Sequence, residues 1–329
     1  MKVSAKKGSI LSKNVCNLPC MPKVSVIIPV YNVEQYIERC ARSLFEQTLD
    51  DIEYIFVNDC TPDKSMEVLA RVLDDYPTRK DQVRIIDMPV NSGQAKVRKV
   101  GIEAATGDYI IHCDSDDWVD VTMYEQMWRA AETNGNEAVI CAYYVEERNE
   151  SDIVHIHRAK DYLYGLVSGE ETNALWNKLI RKNIVGKASV EPVFNMMEDT
   201  VLTIQYLSFC NNVGFIDNPL YHYCSNRDGI CARLNEESIM NQARGNFETM
   251  LSFLRQKELD NGYKYAIRHR KCLLLKMAWS LPWKYYVNLY PEAILHFFVD
   301  NSFSFSEKMG HLTKLLGIHG ISQVRRSFR

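Results

Sequence analysis

A chain of 329 residues, 46% hydrophobic and 25% charged, has the composition of an ordinary globular protein with room for a full domain and a smaller unit, which excludes disordered and fibrous classes. Its formal net charge of -3 gives no overall pull toward nucleic acid, so no nucleic-acid partner is expected. No apolar run reaches the roughly 18 residues of a membrane span, and the ten scattered cysteines, several inside hydrophobic runs (Cys40, Cys113, Cys141, Cys210), read as reduced thiols of a cytoplasmic protein rather than a disulfide framework.

Residues 1–22 read as a flexible basic tail. Lys2, Lys6, Lys7, Lys13 and Lys23 occur before the first acidic residue, without the apolar core of about 7–15 residues that a secretory signal needs. Cys16 and Cys20 have the spacing of half a zinc site, but no second pair follows. From Val24 the hydrophobic periodicity alternates between strand and helix. Val24–Val30 is a short β-branched run ended by turn chemistry, as expected of a strand buried on both faces. Ile37, Ala41, Leu44 and Phe45 recur at helical spacing. Tyr54–Val57 predicts a second strand, and Met66, Leu69, Val72 and Leu73 a second helix. A strand at Val83–Ile86, a helix around Ala95–Ala105 and a strand at Tyr109–Cys113 continue the series. The fold class is therefore α/β, a mostly parallel, Rossmann-like sheet covered by helices.

Open sheets of this kind bind ligands beyond the carboxyl ends of their strands. Here those ends carry Pro29-Val30-Tyr31-Asn32, Asn58-Asp59 and Asp114-Ser115-Asp116-Asp117. No glycine-rich phosphate loop follows the first strand, so phosphate must be neutralised another way. Three carboxylates within four residues repel one another unless a cation sits among them. Residues 114 and 116 share a face if the strand runs straight to that point. Oxygen ligands of this type suit Mn2+ or Mg2+ bound through one or two carboxylates plus substrate phosphates. The alternative is that the acids solvate a loop, or that Asp117 or Asp120 caps the next helix. Their position at the ligand edge, with Trp118 following as a wall, favours function.

The ordered series of motifs resembles the inverting family-2 glycosyltransferases of bacterial polysaccharide and glycan assembly, whose fold is called GT-A. The matching segments are Val24–Asn32, Asn58-Asp59, Asn91-Ser92-Gly93 with Arg98, Ala105-Thr106-Gly107-Asp108-Tyr109 leading into Asp114–Asp117, Trp176-Asn177-Lys178-Leu179, and Glu198-Asp199-Thr200. The resemblance spans roughly residues 23–230 and implies a nucleotide-diphosphate sugar, with UDP as the expected nucleotide. By that resemblance Pro29, Tyr31 and Asn32 line the base pocket, Asp59 accepts a hydrogen bond from uracil, and Asn91 belongs to the same donor site. Arg98 adds a base or ribose contact, Asp114 and Ser115 lie near ribose and sugar, and Asp116 binds the metal.

Glycosyl transfer also needs a base for the acceptor hydroxyl, and one carboxylate opposite the leaving group suffices for inversion. Asp199 is the candidate. It begins an apparent helix (Val201, Leu202, Leu207), where a first-turn acid is also favoured structurally. Trp176 either stacks on a sugar or fills the core, and Lys178 either positions the acceptor-side segment or touches phosphate. Leu220-Tyr221-His222-Tyr223 resembles the family's strand before a basic loop that closes over the diphosphate. There Cys224 stands where an arginine is common, leaving Arg227 and Arg233 as the nearby cations, with Arg227 assigned to the donor.

The catalytic domain is expected over 23–233 and a helical extension over 234–329. In the extension Phe247, Met250, Leu251 and Leu254 share one face, and Cys272–Leu275 is followed by a break at Pro282. Trp279, Trp283, Tyr285, Tyr286, Phe297 and Phe298 cluster there, with Arg325, Arg326 and Arg329 and no acid after Glu307. Packing on the catalytic domain is one reading. The other is a peripheral contact with the inner face of the membrane that reaches a lipid-linked acceptor. Two further classes are a sugar nucleotidyltransferase, whose expected glycine-rich basic loop is missing, and a non-catalytic module that binds nucleotide sugars.

Overall fold

The computed structural model describes residues 21–147, 150–156, 161–224 and 234–316. Its first half alternates as the periodicity requires: β1 (Val24–Val30), α1 (Ile37–Phe45), β2 (Ile52–Asn58), α2 (Ser65–Asp74), β3 (Val83–Asp87), α3 (Gln94–Ala104) and β4 (Tyr109–His112). A short β5 (Trp118–Val119), α4 (Met123–Asn134), β6 (Ala138–Glu147), β7 (Glu150–Val154), α5 (Tyr162–Ser168), β8 (Lys178–Arg181), α6 (Lys182–Val185), α7 (Glu198–Ser208) and β9 (Val213–Cys224) follow. The strands join one sheet in the order β3-β2-β1-β4-β8-β6-β9-β5, with β7 beside β6. β1 to β4 run parallel, whereas β8 is antiparallel to both β4 and β6.

Helices cover both faces, which is why β1 is apolar at nearly every position. Val24, Val26, Ile28 and Val30 enter the core under α1, α2 and α4. Ile27 faces the other way, as the two-residue period of a strand dictates. On that second face α3 packs so closely that a Cβ on Gly101 would come within 2.4 Å of Ile27 Cγ2.

The chain continues as α8 (Glu236–Gln256), α9 (Lys264–Met277), α10 (Trp283–Leu289), α11 (Pro291–Val299) and α12 (Phe305–Leu315). Asn235 caps α8 by accepting from Ser238 N–H at 2.8 Å. Phe247, Met250, Leu251 and Leu254 are buried on its inner face. These helices share one continuous core with α5, α7 and the Ile27 side of the sheet. Among the described residues no helix is long and apolar enough to cross a membrane.

Candidate active site

The carboxyl ends of β1, β2 and β4 and the start of α7 meet at one place. After β1, Asn32 takes a left-handed turn with φ of 56°, and its N–H donates to Thr61 Oγ1 at 2.8 Å. The next two amides donate to Ser65 Oγ and Asp63 Oδ2. The loops after β1 and β2 are thereby knitted together, with Pro29 and Tyr31 part-exposed beside them. Asp59, at the end of β2, is buried, and its two oxygens accept from Ser92 N–H at 2.7 Å and Gly93 N–H at 2.9 Å. It therefore shapes the 91–93 loop that leads into α3, on which Asn91 is exposed. Gly93 has φ of 83°, and a Cβ there would strike the Asn195 amide at 2.6 Å, so the loop touches the segment just before α7.

β4 stops at His112, and the aspartates lie in a tight turn in which Asp117 N–H donates to Asp114 C=O. The condition of a straight strand, under which residues 114 and 116 share a face, is thus not met. The turn nonetheless leaves Asp114 and Asp116 part-exposed while burying Ser115 and Asp117. Asp117 accepts from Tyr221 Oη–H at 2.6 Å and Cys224 N–H at 2.7 Å. Burial, then Asp116 and Asp114, push its carboxyl well above the ordinary range. Tyr221 also accepts from Asp114 N–H at 3.1 Å, so β9 pins both ends of the turn. Tyr221→Phe removes a donor from a buried carboxylate, with an expected loss of about 1–3 kcal/mol. A urea midpoint equal to the parent's would contradict that.

Arg98 reaches from α3 into the middle of the site. Its buried guanidinium meets Asp114 Oδ1 at 2.7 Å and Glu198 Oε1 at 3.4 Å. Burial alone would lower its pKa, but the charges of Asp114 and Glu198 outweigh that and raise it. Beside it His112 is buried with both ring nitrogens lacking a hydrogen-bond partner among the described residues, and one Arg98 nitrogen, Nη1, likewise has none among them. Burial, then Arg98, push the His112 imidazole well down toward the neutral form.

Glu198 and Asp199 open α7, where the helix N-terminus favours negative charge. Glu198 is buried, whereas Asp199 is part-exposed and accepts from Thr200 N–H at 2.7 Å. Burial and then the neighbouring Asp199 push Glu198 up to about 8. A carboxyl held high favours the fold in its protonated form. Its contribution is complete below the ordinary value of 4.5 and is lost as pH rises through about 8. The thermal midpoint of the parent should fall across that window, and Glu198→Gln should flatten the fall. Parallel pH profiles for the two proteins would refute this assignment.

For Lys178 and Trp176, each given two readings from the sequence, packing favours one. Lys178 is fully buried, and its ammonium donates to Thr172 C=O, Ala174 C=O and Asn177 Oδ1, each at 2.8 Å. An ammonium has three N–H donors, so none remains for phosphate and the side chain holds the 172–177 segment instead. Burial lowers it to about 7 against the opposing charge of Asp199. Trp176 is only 6% exposed and lies in an aromatic stack, 4.2 Å from the Tyr221 ring and edge-on to Tyr143. Its burial and ring contacts match the core-filling alternative. Arg227 and Arg233 lie outside the described residues.

Tyr221 and Glu198 enter from the sequence only as members of matching segments, and Arg39 and Arg270 carry no local sequence signal. Arg39, from α1, brings a guanidinium nitrogen to 2.9 Å from Cys224 Sγ, at the position where the family arginine is absent. Arg270, from α9, donates to the Leu166 and Val167 carbonyls that end α5 and lies within the field of Asp199.

A sheet of this topology, covered by helices and presenting acids at the carboxyl ends of its strands, is a GT-A fold. Residues 25–199 match Glycosyl transferase family 2, and the chain belongs to that family and is a glycosyltransferase. It is 31% identical over 274 residues to EpsH of Bacillus subtilis (strain 168), covering 77% of each chain. Among solved structures it resembles residues 1–349 of TarS from S. aureus in complex with UDP-GlcNAc, with a TM-score of 0.61, 16% identity, and coverage of 89% of this chain and 79% of that one. It also resembles the mannosyltransferase PcManGT from Pyrobaculum calidifontis in complex with GDP-Man and Mn2+, with a TM-score of 0.52, 14% identity, and coverage of 90% and 85%.

Proposed function

We propose that this glycosyltransferase is metal-dependent and inverting, and that it transfers a sugar from a UDP-sugar to a hydroxyl of a glycan or lipid-linked acceptor. The observation that carries the reading is the Arg98 bridge. One buried guanidinium joins Asp114, in the aspartate turn, to Glu198, the neighbour of Asp199. The aspartate turn and the start of α7, where the candidate base lies, are thus joined through one buried guanidinium. UDP is favoured over GDP because the TarS structure with the higher TM-score carries UDP-GlcNAc.

The residues suit a divalent cation held jointly with substrate. In the turn Asp114 is engaged by Arg98 and Asp117 by Tyr221 and Cys224, with part-exposed Asp116 between them. Among the described residues no three His, Cys, Asp or Glu side chains gather around a single point. Asp116 would therefore hold the ion together with diphosphate oxygens, the usual arrangement for Mg2+ and Mn2+. When bound, the metal supplies Lewis-acid neutralisation of the leaving diphosphate.

The remaining chemistry belongs to the chain. Asp199 accepts the proton of the acceptor hydroxyl as that oxygen attacks the anomeric carbon from the face opposite the diphosphate. Thr200 N–H fixes the Asp199 carboxylate, and Arg98 holds Asp114 beside the sugar. Pro29, Tyr31, Asn32, Asp59 and Asn91 form the base and ribose side, with Ser115 buried behind the turn. The seven described cysteines are free thiols, which suits the cytoplasmic location proposed for the enzyme. Calorimetric titration with UDP and with GDP, each with Mn2+ and then with EDTA, tests the donor. Chelator-sensitive binding that prefers UDP is expected. Preference for GDP would overturn the nucleotide, and no binding of either would favour a non-catalytic module.

A further inference from the structure

Helix α12 is docked back to front. A surface helix of a soluble protein turns its apolar stripe to the core. In α12, Phe305, Met309, Leu312 and the following Leu316 fall within about 60° of one another on a helical projection. They are the exposed side, at 79%, 41%, 36% and 65% of their full surface. The inward side is polar. His311 is buried and hydrogen-bonded to the Tyr286 hydroxyl, Glu307 pairs with Lys276 at 2.7 Å, and Lys314 donates to the carbonyls of Trp279 and Leu281 at 2.7 and 2.5 Å. A capping box from Ser304 fixes the start of the helix. The outward stripe is thus held in place by specific contacts.

We infer that this face is a docking surface for an anionic lipid bilayer. Two observations select lipid. The first is the pair of half-exposed tryptophans flanking α12. Trp283, 40% exposed, donates its ring N–H to Leu315 C=O, and Trp279, 38% exposed, packs edge-on to His311. Indole rings with a polar N–H and an apolar body favour the headgroup level of a membrane. The second is charge. Lys284 is exposed beside Trp283, and Lys308 falls next to the apolar stripe on the helical projection of α12. An apolar stripe edged by cations binds in the plane of an anionic membrane surface. The adjoining α11 adds Leu295 and Val299, 76% and 73% exposed. No donor-site residue is involved, so failure here would leave the glycosyl-transfer reading untouched.

The test is flotation of the full-length protein with vesicles of phosphatidylcholine plus phosphatidylglycerol and with phosphatidylcholine alone. The protein should float with the mixed vesicles, less with phosphatidylcholine, and less at high salt. The double variant Phe305→Ser with Leu312→Ser should lose at least about tenfold in partitioning while keeping the parent's thermal midpoint, because both side chains point outward. Should that variant misfold, the parent's tryptophan emission still decides, and it should shift to the blue on adding mixed vesicles. Parent protein that stays in solution, or emission that does not move, overturns the inference. So does lipid-free self-association abolished by the same two substitutions, which would assign the face to a second copy of this chain.

Discussion

Asp199→Asn should lower transfer by about a hundredfold to ten-thousandfold, the usual worth of a positioned general base, while leaving UDP affinity in the presence of Mn2+ unchanged. The substitution keeps the shape of the side chain and its hydrogen bond from Thr200 N–H but removes the lone-pair basicity that takes the acceptor proton. Asp199 is also an electrostatic neighbour. Its charge raises Lys178 against a larger desolvation penalty and contributes, after burial, to the high pKa of Glu198. The asparagine variant should therefore drive Lys178 further toward the neutral amine and let Glu198 ionise at lower pH. That second effect separates a missing base from a collapsed site, because the pH profile of stability moves even though transfer is gone. Equal transfer rates for parent and variant would remove Asp199 as the base.

Asp116→Ala should abolish the metal-dependent part of UDP binding, by at least about a hundredfold or ~2.7 kcal/mol, with little change in stability. Two other members of the turn keep their tethers in this variant. Asp117 is the buried acid tied to Tyr221 and Cys224, and Asp114 is tied to Arg98. Asp117→Ala is the contrasting control. It strips the partners from a buried Tyr221 hydroxyl and from the Cys224 amide, so it should cost stability first and binding as a consequence. If Asp116→Ala bound UDP as tightly with EDTA as the parent does with Mn2+, the ion would have no place in the account.

Much of the sheet was legible because its signal is local. β1 is apolar at nearly every position since both its faces are covered, and α1 and α2 carry apolar residues at helical spacing with their polar sides outward. The acids at strand ends were legible through topology, which sends such residues to one edge. What escaped was set by partners distant in sequence. The sequence leaves Lys178 between segment and phosphate, and only Thr172, Ala174 and Asn177 around its ammonium favour the segment. It leaves Trp176 between core and sugar, and only Tyr221, from a strand more than forty residues on, favours the core. Whether the strand runs straight past Cys113 is not legible locally, because nothing near it announces that Tyr221 and Cys224 draw Asp117 inward. In α12 only the packed partners of His311, Glu307 and Lys314 reveal that its apolar side faces out.

The most direct test of the central claim is one set of titrations, UDP with Mn2+ into the parent, Asp116→Ala and Asp199→Asn proteins. Parent and Asp199→Asn should bind alike and Asp116→Ala should not, which would separate a donor site at the aspartate turn from a base at the start of α7. Three indistinguishable affinities would contradict the assignment of the metal to Asp116, and loss of binding in Asp199→Asn would contradict the division of roles between the aspartate turn and the start of α7.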